Sequence, residues 1–386
     1  MPGDGDTFAI AAPAIFDGED FLHEHCVLVR GDTVQQLLPT KECPGVVDLL
    51  ELDCGTLAPG LIDLQVNGGG GRMFNNAPQL DTLECMQAAH RNCGTTSLLP
   101  TLLSDTTQQQ QAAVAAVRAA QRASNPGILG IHLEGPFFNS SRRGAHYDRF
   151  IRAPGEEDIS WLCSLQDLRV VLTLAPEQFT PAHIEQLANS GIVLCAGHTE
   201  ATYMEMSTAV NAGVSGVTHL FNAMSPITAR EPGAVGAALD LDALWAGIIA
   251  DGHHVSAANI RLAQRAKPAG RLLLVSDAMA TVGCDEDSFE LYGETIHEHQ
   301  GRLVNGEGKL AGSAIGLIQA VAYAAGEVGI PLAQCLRMAS LYPARVLGLE
   351  QRLGRISPGY RADLVHFDDA FTVHHTWLAG QRQRHR

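Results

Sequence analysis

Eight short runs of apolar, strand-favouring residues recur between about residue 58 and residue 280: GLIDLQV, TTSLLPT, ILGIHLE, VVLTLAP, IVLCAGH, GVTHLFN, LWAGIIAD and RLLLVSDA. Each leads into a polar or glycine-bearing turn and then into a stretch of helical character. The clearest helix lies between the second and third runs, where QQQQAAVAAVRAAQRA is rich in strong helix formers and Ser104 and Asp105 offer N-caps. Strands that alternate with helices pair in parallel, so eight such units predict an α/β fold, the (β/α)8 TIM barrel. An open doubly wound sheet is the rival. It carries a G-x-G-x-x-G fingerprint after its first strand, and GGGG followed by Arg72 and Met73 does not fit that pattern.

The flanks read differently. Residues 1–53 and 350–386 contain short β-like runs, HCVLVRGD, TVQQLLP and GRISPGYRADLVHFD, with little helical pattern. They predict a small β-sandwich domain built from both termini, with a catalytic barrel over residues 54–349. Residues from about 314 to 348 return to a helical pattern and close the barrel, and 285–310 predicts a hairpin-like insertion over its mouth.

Composition narrows the partners. A chain of 386 residues that is 46% hydrophobic can bury a large core. Forty-two acidic against 26 basic residues give a net charge of −16, which disfavours nucleic acid and gives no electrostatic reason to meet an anionic membrane. The opening MPGDGDTFAI lacks the basic and apolar regions of a signal peptide, and no apolar run reaches transmembrane length, so a cytoplasmic protein is expected. Nine cysteines without a Cys-x-x-Cys pair signal neither a zinc knuckle nor a disulfide frame.

Polar residues recur where the strands end. The third run ends His132-Leu133-Glu134, the fifth at His198, the sixth at His219, the seventh at Asp251 with His253 and His254 behind it, and the eighth at Asp277. The C-terminal strand ends of a barrel converge on one mouth, so these side chains are expected to meet. Any one of them alone reads as a hydrogen-bonded structural residue; the repetition is what argues for a site. Glu134, His198 and His219 make up the ligand set of a catalytic metal site with a position left for water. Asp277 is then the carboxylate placed to take that water's proton.

The motifs HLEGPFFN, RRGAH, AGHT, THLFNAM, TAREPGAVG, DGHHV, LVSDAM and LAGSAIG, in this order, resemble the N-acetylglucosamine-6-phosphate deacetylases of the amidohydrolase superfamily. The resemblance runs from Ala58-Pro59-Gly60 to SPGYRADLV, most of the chain. It implies hydrolysis of the acetamide of N-acetyl-D-glucosamine 6-phosphate to D-glucosamine 6-phosphate and acetate, in amino-sugar catabolism. It implies one divalent metal ion per subunit on Glu134, His198 and His219; zinc is the first choice, although two histidines and a glutamate also suit iron, manganese or cobalt. Asp277 is implied as general base and then acid, and His146 as a stabiliser of the acetamide oxygen; on its residues alone His146 reads as a loop histidine after Gly144. Substrate contacts are implied for Ala145, His146, Asn222, Ala223, Arg230, His254, Leu310, Ala311 and Gly312. The resemblance also implies a homodimer in which Arg230 reaches the phosphate across the interface. Read alone, Arg230 is equally well explained by an ion pair with Glu231. The resemblance assigns Asn222, Ala223 and His254, with Arg230, to the phosphate, and His253 to a supporting role.

Many amidohydrolases instead hold two metals bridged by a modified lysine on the fourth strand. VVLTLAP has none, and the chain's three lysines, Lys41, Lys267 and Lys309, are not at strand ends. Gln65 and Asn67 stand where such enzymes place two histidines for a second metal, and amides are poor substitutes, so a single ion is expected. Gln65 then either hydrogen-bonds the metal's water or a neighbouring ligand, or simply fills the space. The four glycines after Asn67 are expected to form a tight turn rather than a phosphate cradle. Other readings are a mononuclear amidohydrolase for another N-acyl sugar or a cyclic amide, or an inactive scaffold, against which stands the presence of all four catalytic candidates.

Overall fold

The computed structural model describes residues 7–306, 308 and 310–385. Its centre is a parallel eight-stranded barrel whose strands are β1 (Leu61–Val66), β2 (Thr95–Leu103), β3 (Ile131–Glu134), β4 (Val170–Leu174), β5 (Val193–Ala196), β6 (Val214–Val217), β7 (Trp245–Ile249) and β8 (Leu272–Val275). They neighbour one another in sequence order. Each corresponds to one of the eight apolar runs. Nearly every strand residue is buried, because helices cover the outside and side chains fill the inside; this is why the runs are continuous rather than alternating.

The helices that follow the strands are α1 (Leu80–Arg91), α2 (Thr107–Arg122), α3 (Glu156–Cys163), α4 (Pro181–Asn189), α5 (Tyr203–Ala212), α6 (Gly233–Asp240), α7 (Ala257–Ala266) and α8 (Leu317–Tyr323). The cap of α2 differs from the expectation. Thr106 Oγ1 accepts from the Gln109 N–H at 3.2 Å, while Asp105 accepts from Thr106 N–H at 2.7 Å and Ser104 faces the barrel mouth. Among the described residues no helix is long and apolar enough to cross a membrane.

The barrel closes at its mouth. Val66 bridges Ala278 in parallel, and the Asp277 N–H donates to the Gln65 carbonyl at 3.0 Å. Here the glycine run finds its use. Gly68–Gly69 and Arg72–Met73 pair antiparallel around Gly70 and Gly71, whose φ values of +62° and +78° suit a two-residue hairpin turn. A Cβ at Gly68 would lie 2.6 Å from the Arg72 carbonyl oxygen, so the close approach also requires glycine. The Gly70 and Gly71 N–H groups donate to the carbonyls of Val282 and Ala280, at 2.8 and 2.9 Å, which sews the loop after β1 to the loop after β8.

Two further sheets come from the termini. One orders its strands Thr33–Pro39, His25–Arg30, Thr7–Ala11, Asp48–Glu51; the other orders Gln381–Arg384, Val373–Leu378, Leu364–Phe367, Thr56–Pro59, Ala14–Phe16, Phe21–Leu22. They share an apolar core of Ile10, Val27, Val29, Leu57, Leu364 and Trp377. Thr56–Pro59, inside the span expected for the barrel, is therefore a strand of this domain's sheet.

The insertion is a four-stranded antiparallel sheet, Ser288–Leu291, Glu294–His299, Arg302–Val304 and Leu310–Ser313. Phe289, Leu291, Ile296 and Leu303 pack on Met73, Leu103 and Met279 from the loops and strand ends of the mouth. The expected hairpin is thus a larger element, and it is anchored by its apolar face.

Candidate active site

Three polar strand ends share an unusual backbone. His198, His219 and Asp277 lie just beyond β5, β6 and β8 with φ of +51°, +33° and +53°. Left-handed backbone at non-glycine residues costs about 1–3 kcal/mol each and persists where the surroundings hold it, often at functional sites. The turn lets each chain leave its strand with the side chain directed into the mouth.

Glu134 is the meeting point. Its Oε1 lies 3.2 Å from His198 Nε2, 3.1 Å from His219 Nε2 and 3.1 Å from Gln65 Nε2. All three candidate ligand residues are buried, and their donor atoms lie within 4.8 Å of one another. His198 Nδ1 donates to the Arg142 carbonyl at 2.9 Å, which leaves its Nε2 lone pair facing inward. The two Nε2 atoms are only 3.0 Å apart and cannot both carry protons. Accordingly burial pushes His198 toward the neutral form, while for His219 the hydrogen bond and charge of Glu134 overcome burial and raise its pKa. Burial alone would raise the Glu134 carboxyl, but the imidazoles of His198 and His219 against it hold it well below the usual range. Two converging imidazoles, an ionised carboxylate and a Glu134 Oε2 without a partner among the described residues fit a borderline divalent ion.

Asp277 stands beside this cluster. Its Oδ1 accepts from Asn67 Nδ2 at 2.7 Å and from Gln65 Nε2 at 3.1 Å. Gln65 thus bridges the two carboxylates through one amide nitrogen, and Asp277 is linked to Glu134 without touching it. Burial, and then the charge of Glu134, push Asp277 up to about 6. Asp63, on the same face of β1, lies deeper: its Oδ1 accepts from the N–H groups of Gln65 and Ser276, tying β1 to β8.

His146 completes the mouth. The Ser104 N–H donates to its Nδ1 at 3.0 Å, with Ser104 Oγ at 2.8 Å, so Nδ1 is an acceptor and Nε2 carries the proton. Burial, and then the charge of His198, hold its pKa well below the ordinary histidine value. The ring is fixed edge-on to Phe138 and His198, at centroid distances of 4.9 and 4.5 Å. Neutral and singly oriented, it is a ready hydrogen-bond donor.

The other candidates surround these groups. His254 Nδ1 donates to Asp251 Oδ2 at 2.6 Å, and the same carboxylate accepts the N–H groups of His253 and His254, both at 2.8 Å. Asp251 thereby fixes the ring of His254, a job that sequence reading left unassigned. Asn222 bonds the His219 carbonyl at 3.3 Å, and Ala223, with φ +51°, accepts from Thr199 N–H at 3.1 Å. Ala145 lines a cavity of about 170 Å³ with His146. Leu310, Ala311 and Gly312 belong to the last strand of the insertion; a Cβ on Gly312 would come within 2.9 Å of the Asp277 carbonyl oxygen. Arg230 is exposed and makes no ion pair among the described residues. It does not pair with Glu231, whose Oε1 accepts the N–H groups of Tyr203 and Gly233, both at 2.8 Å.

Comparison with known proteins agrees with this geometry. Residues 56–382 match the amidohydrolase family. An N-acetylgalactosamine-6-phosphate deacetylase of Shewanella sp. (strain ANA-3) is 42% identical over 93% of this chain and 92% of its own. An N-acetylglucosamine-6-phosphate deacetylase of Haemophilus influenzae is 34% identical over 97% and 98%. The crystal structure of N-acetylglucosamine-6-phosphate deacetylase from Pasteurella multocida superposes with a TM-score of 0.96 at 38% identity, covering 98% of this chain and all of that one. With eight barrel strands, a buried glutamate and histidine cluster and relatives that match along nearly their whole length, the chain belongs to the amidohydrolase family, among its amino-sugar-phosphate deacetylases.

Proposed function

We propose that the chain hydrolyses the acetamide of N-acetyl-D-glucosamine 6-phosphate to D-glucosamine 6-phosphate and acetate, as a step of amino-sugar catabolism. The observation that carries this reading is a carboxylate, Asp277, held by two amides beside Glu134, His198 and His219 while His146 offers a single Nε2–H. One divalent ion, zinc in first place, would be held by those three residues; when bound it supplies Lewis acidity and lowers the pKa of a water to about 7. Asp277 takes the proton of the attacking water and passes it to the amine nitrogen, which leaves readily only once protonated. His146 donates to the acetamide oxygen as negative charge builds there.

The phosphate is assigned to Asn222, Ala223 and His254, with Arg230 supplied by the partner protomer of a homodimer. Its exposure and lack of an ion pair among the described residues support this, since a free guanidinium can make two parallel bonds to phosphate. Ala145 and the strand Leu310–Ala311–Gly312 are assigned to the sugar. Arg230→Ala should raise KM for the 6-phosphate by about tenfold or more, with activity on the unphosphorylated sugar unchanged. If the two substrates respond alike, Arg230 does not bind the phosphate. The nine free thiols support a reducing, cytoplasmic setting.

A second reading has a specific observation behind it: the 42% identical relative acts, by its name, on the galactosamine epimer. Acetate release from the 6-phosphates of N-acetylglucosamine and N-acetylgalactosamine, measured side by side, tests both. We expect turnover of the gluco compound with kcat/KM at least equal to that of the galacto compound. A strong preference for the epimer would move the assignment to it, and no release from either would refute the deacetylase reading.

A further inference from the structure

One residue of the insertion adopts a costly conformation, and its contacts lead to the catalytic mouth. Ser288–Leu291 and Glu294–His299 are joined through Tyr292 and Gly293, whose φ values are +55° and +80°. Hairpin turns of this kind favour asparagine or glycine at the first position, and a larger L-residue there costs about 1–2 kcal/mol. Strain retained at such a place points to a use for the side chain.

Tyr292 does not face solvent as a turn residue usually does. Its ring stacks on Tyr147, with centroids 5.9 Å apart and planes at 21°, and leans on Phe150 at 5.8 Å. Its hydroxyl donates to the Ser104 carbonyl at 2.7 Å. Both contacts converge on His146. Tyr147 follows it in the chain, and Ser104 supplies the N–H and Oγ that hold His146 Nδ1 at 3.0 and 2.8 Å. Ala145, His146, Tyr147 and Tyr292 also line one cavity of about 170 Å³, so phenol and imidazole border the same space.

We propose that Tyr292 is a positioning residue for the deacetylation: by anchoring Ser104 it keeps the His146 ring oriented, with its proton on Nε2, toward the acetamide oxygen. The insertion thereby becomes part of the catalytic apparatus and not only a cover. The inference rests on the role given to His146 under the proposed function.

A cycle of four proteins tests it: the natural enzyme, Tyr292→Phe, His146→Gln and the double variant, each assayed for kcat and KM on the 6-phosphate. Phenylalanine keeps the ring and its stacking and removes only the hydroxyl. Tyr292→Phe should lower kcat about tenfold with KM within about twofold, and His146→Gln should lower kcat about 100-fold. If Tyr292 acts through His146, the double variant should be no slower than His146→Gln alone. Ser104→Ala, approaching His146 from the other side of the same contacts, should likewise lose its effect in the His146→Gln background. No loss from Tyr292→Phe, or equal losses in both backgrounds, would overturn the proposal. An undiminished kcat in His146→Gln would instead overturn the role of His146 itself.

Discussion

Asp277→Asn lowers kcat by about 10³-fold and leaves a folded protein that still takes up its divalent ion: this is the result expected if Asp277 moves the proton. The substitution is nearly isosteric. An asparagine oxygen can accept the same two bonds that Asn67 and Gln65 donate to Asp277 Oδ1, so the mouth keeps its shape while losing its base. The pKa shift gives a second signature. Burial raises Asp277 to about 6 from the ordinary aspartate value near 3.8, so its stabilising contribution is complete below about 4 and is lost as pH rises through about 6. At pH 7 the ionised group therefore costs the metal-free fold some stability, and asparagine removes that cost. The metal-free variant should melt at a higher temperature than the metal-free natural protein at pH 7, with the difference vanishing near pH 4. A bound cation pulls the pKa down, so the acid limb of kcat/KM in the loaded enzyme should lie below pH 6 and be absent from the variant's residual activity. Near-normal turnover in Asp277→Asn would remove this residue from its role.

Chelation carries the second large effect. Removing the ion should abolish acetate release, and adding back one equivalent of zinc per chain should restore it. The expected stoichiometry rests on the amides of Gln65 on β1 and Asn67 just after it. Gln65 and Asn67 both direct N–H groups at Asp277 Oδ1, and Gln65 also directs one at Glu134, so donors occupy the side of the carboxylates where a second cation would have to approach. Elemental analysis should give one tightly bound ion per chain; two would contradict the single-ion reading. The loaded protein should also melt higher, because a ligand that binds only the folded state stabilises it by mass action, about 2.7 kcal/mol at 100 times its dissociation constant. Full activity in metal-free protein would end the mechanism.

The eight strands were legible because a parallel sheet covered on both faces needs continuous apolar runs, and their number together with the missing G-x-G-x-x-G fingerprint favoured the barrel over an open sheet. The polar strand ends were legible for the complementary reason: Glu134, His198, His219 and Asp277 interrupt apolar runs at equivalent places, where a buried charge has to be used or neutralised. Residues that act through space on another residue left no such mark. Ser104 looked like a helix cap, and only the fold shows that Thr106 caps α2 while Ser104 fixes the tautomer of His146. Asp251 stood at a strand end among the others, yet its carboxylate serves His254 and not Glu134. Tyr292 sits in a turn whose backbone strain becomes visible only as a dihedral angle. The glycine run, ambiguous as a string of letters, resolved once its partners across the seam were known.

That seam sets an order of assembly. Glu134, His198 and His219 lie within 85 residues of one another along the chain, whereas the Gln65–Asp277 hydrogen bond spans 212. Local contacts close smaller loops and form at lower entropic cost than distant ones. A chain still emerging from the ribosome can therefore gather Glu134, His198 and His219, the residues proposed to hold the ion, before residue 277 has been made, but it then lacks its proposed proton carrier. The proposed proton carrier, Asp277, arrives with the last barrel strand, through the same backbone bond that shuts the barrel, so catalytic competence doubles as a report that the barrel has closed.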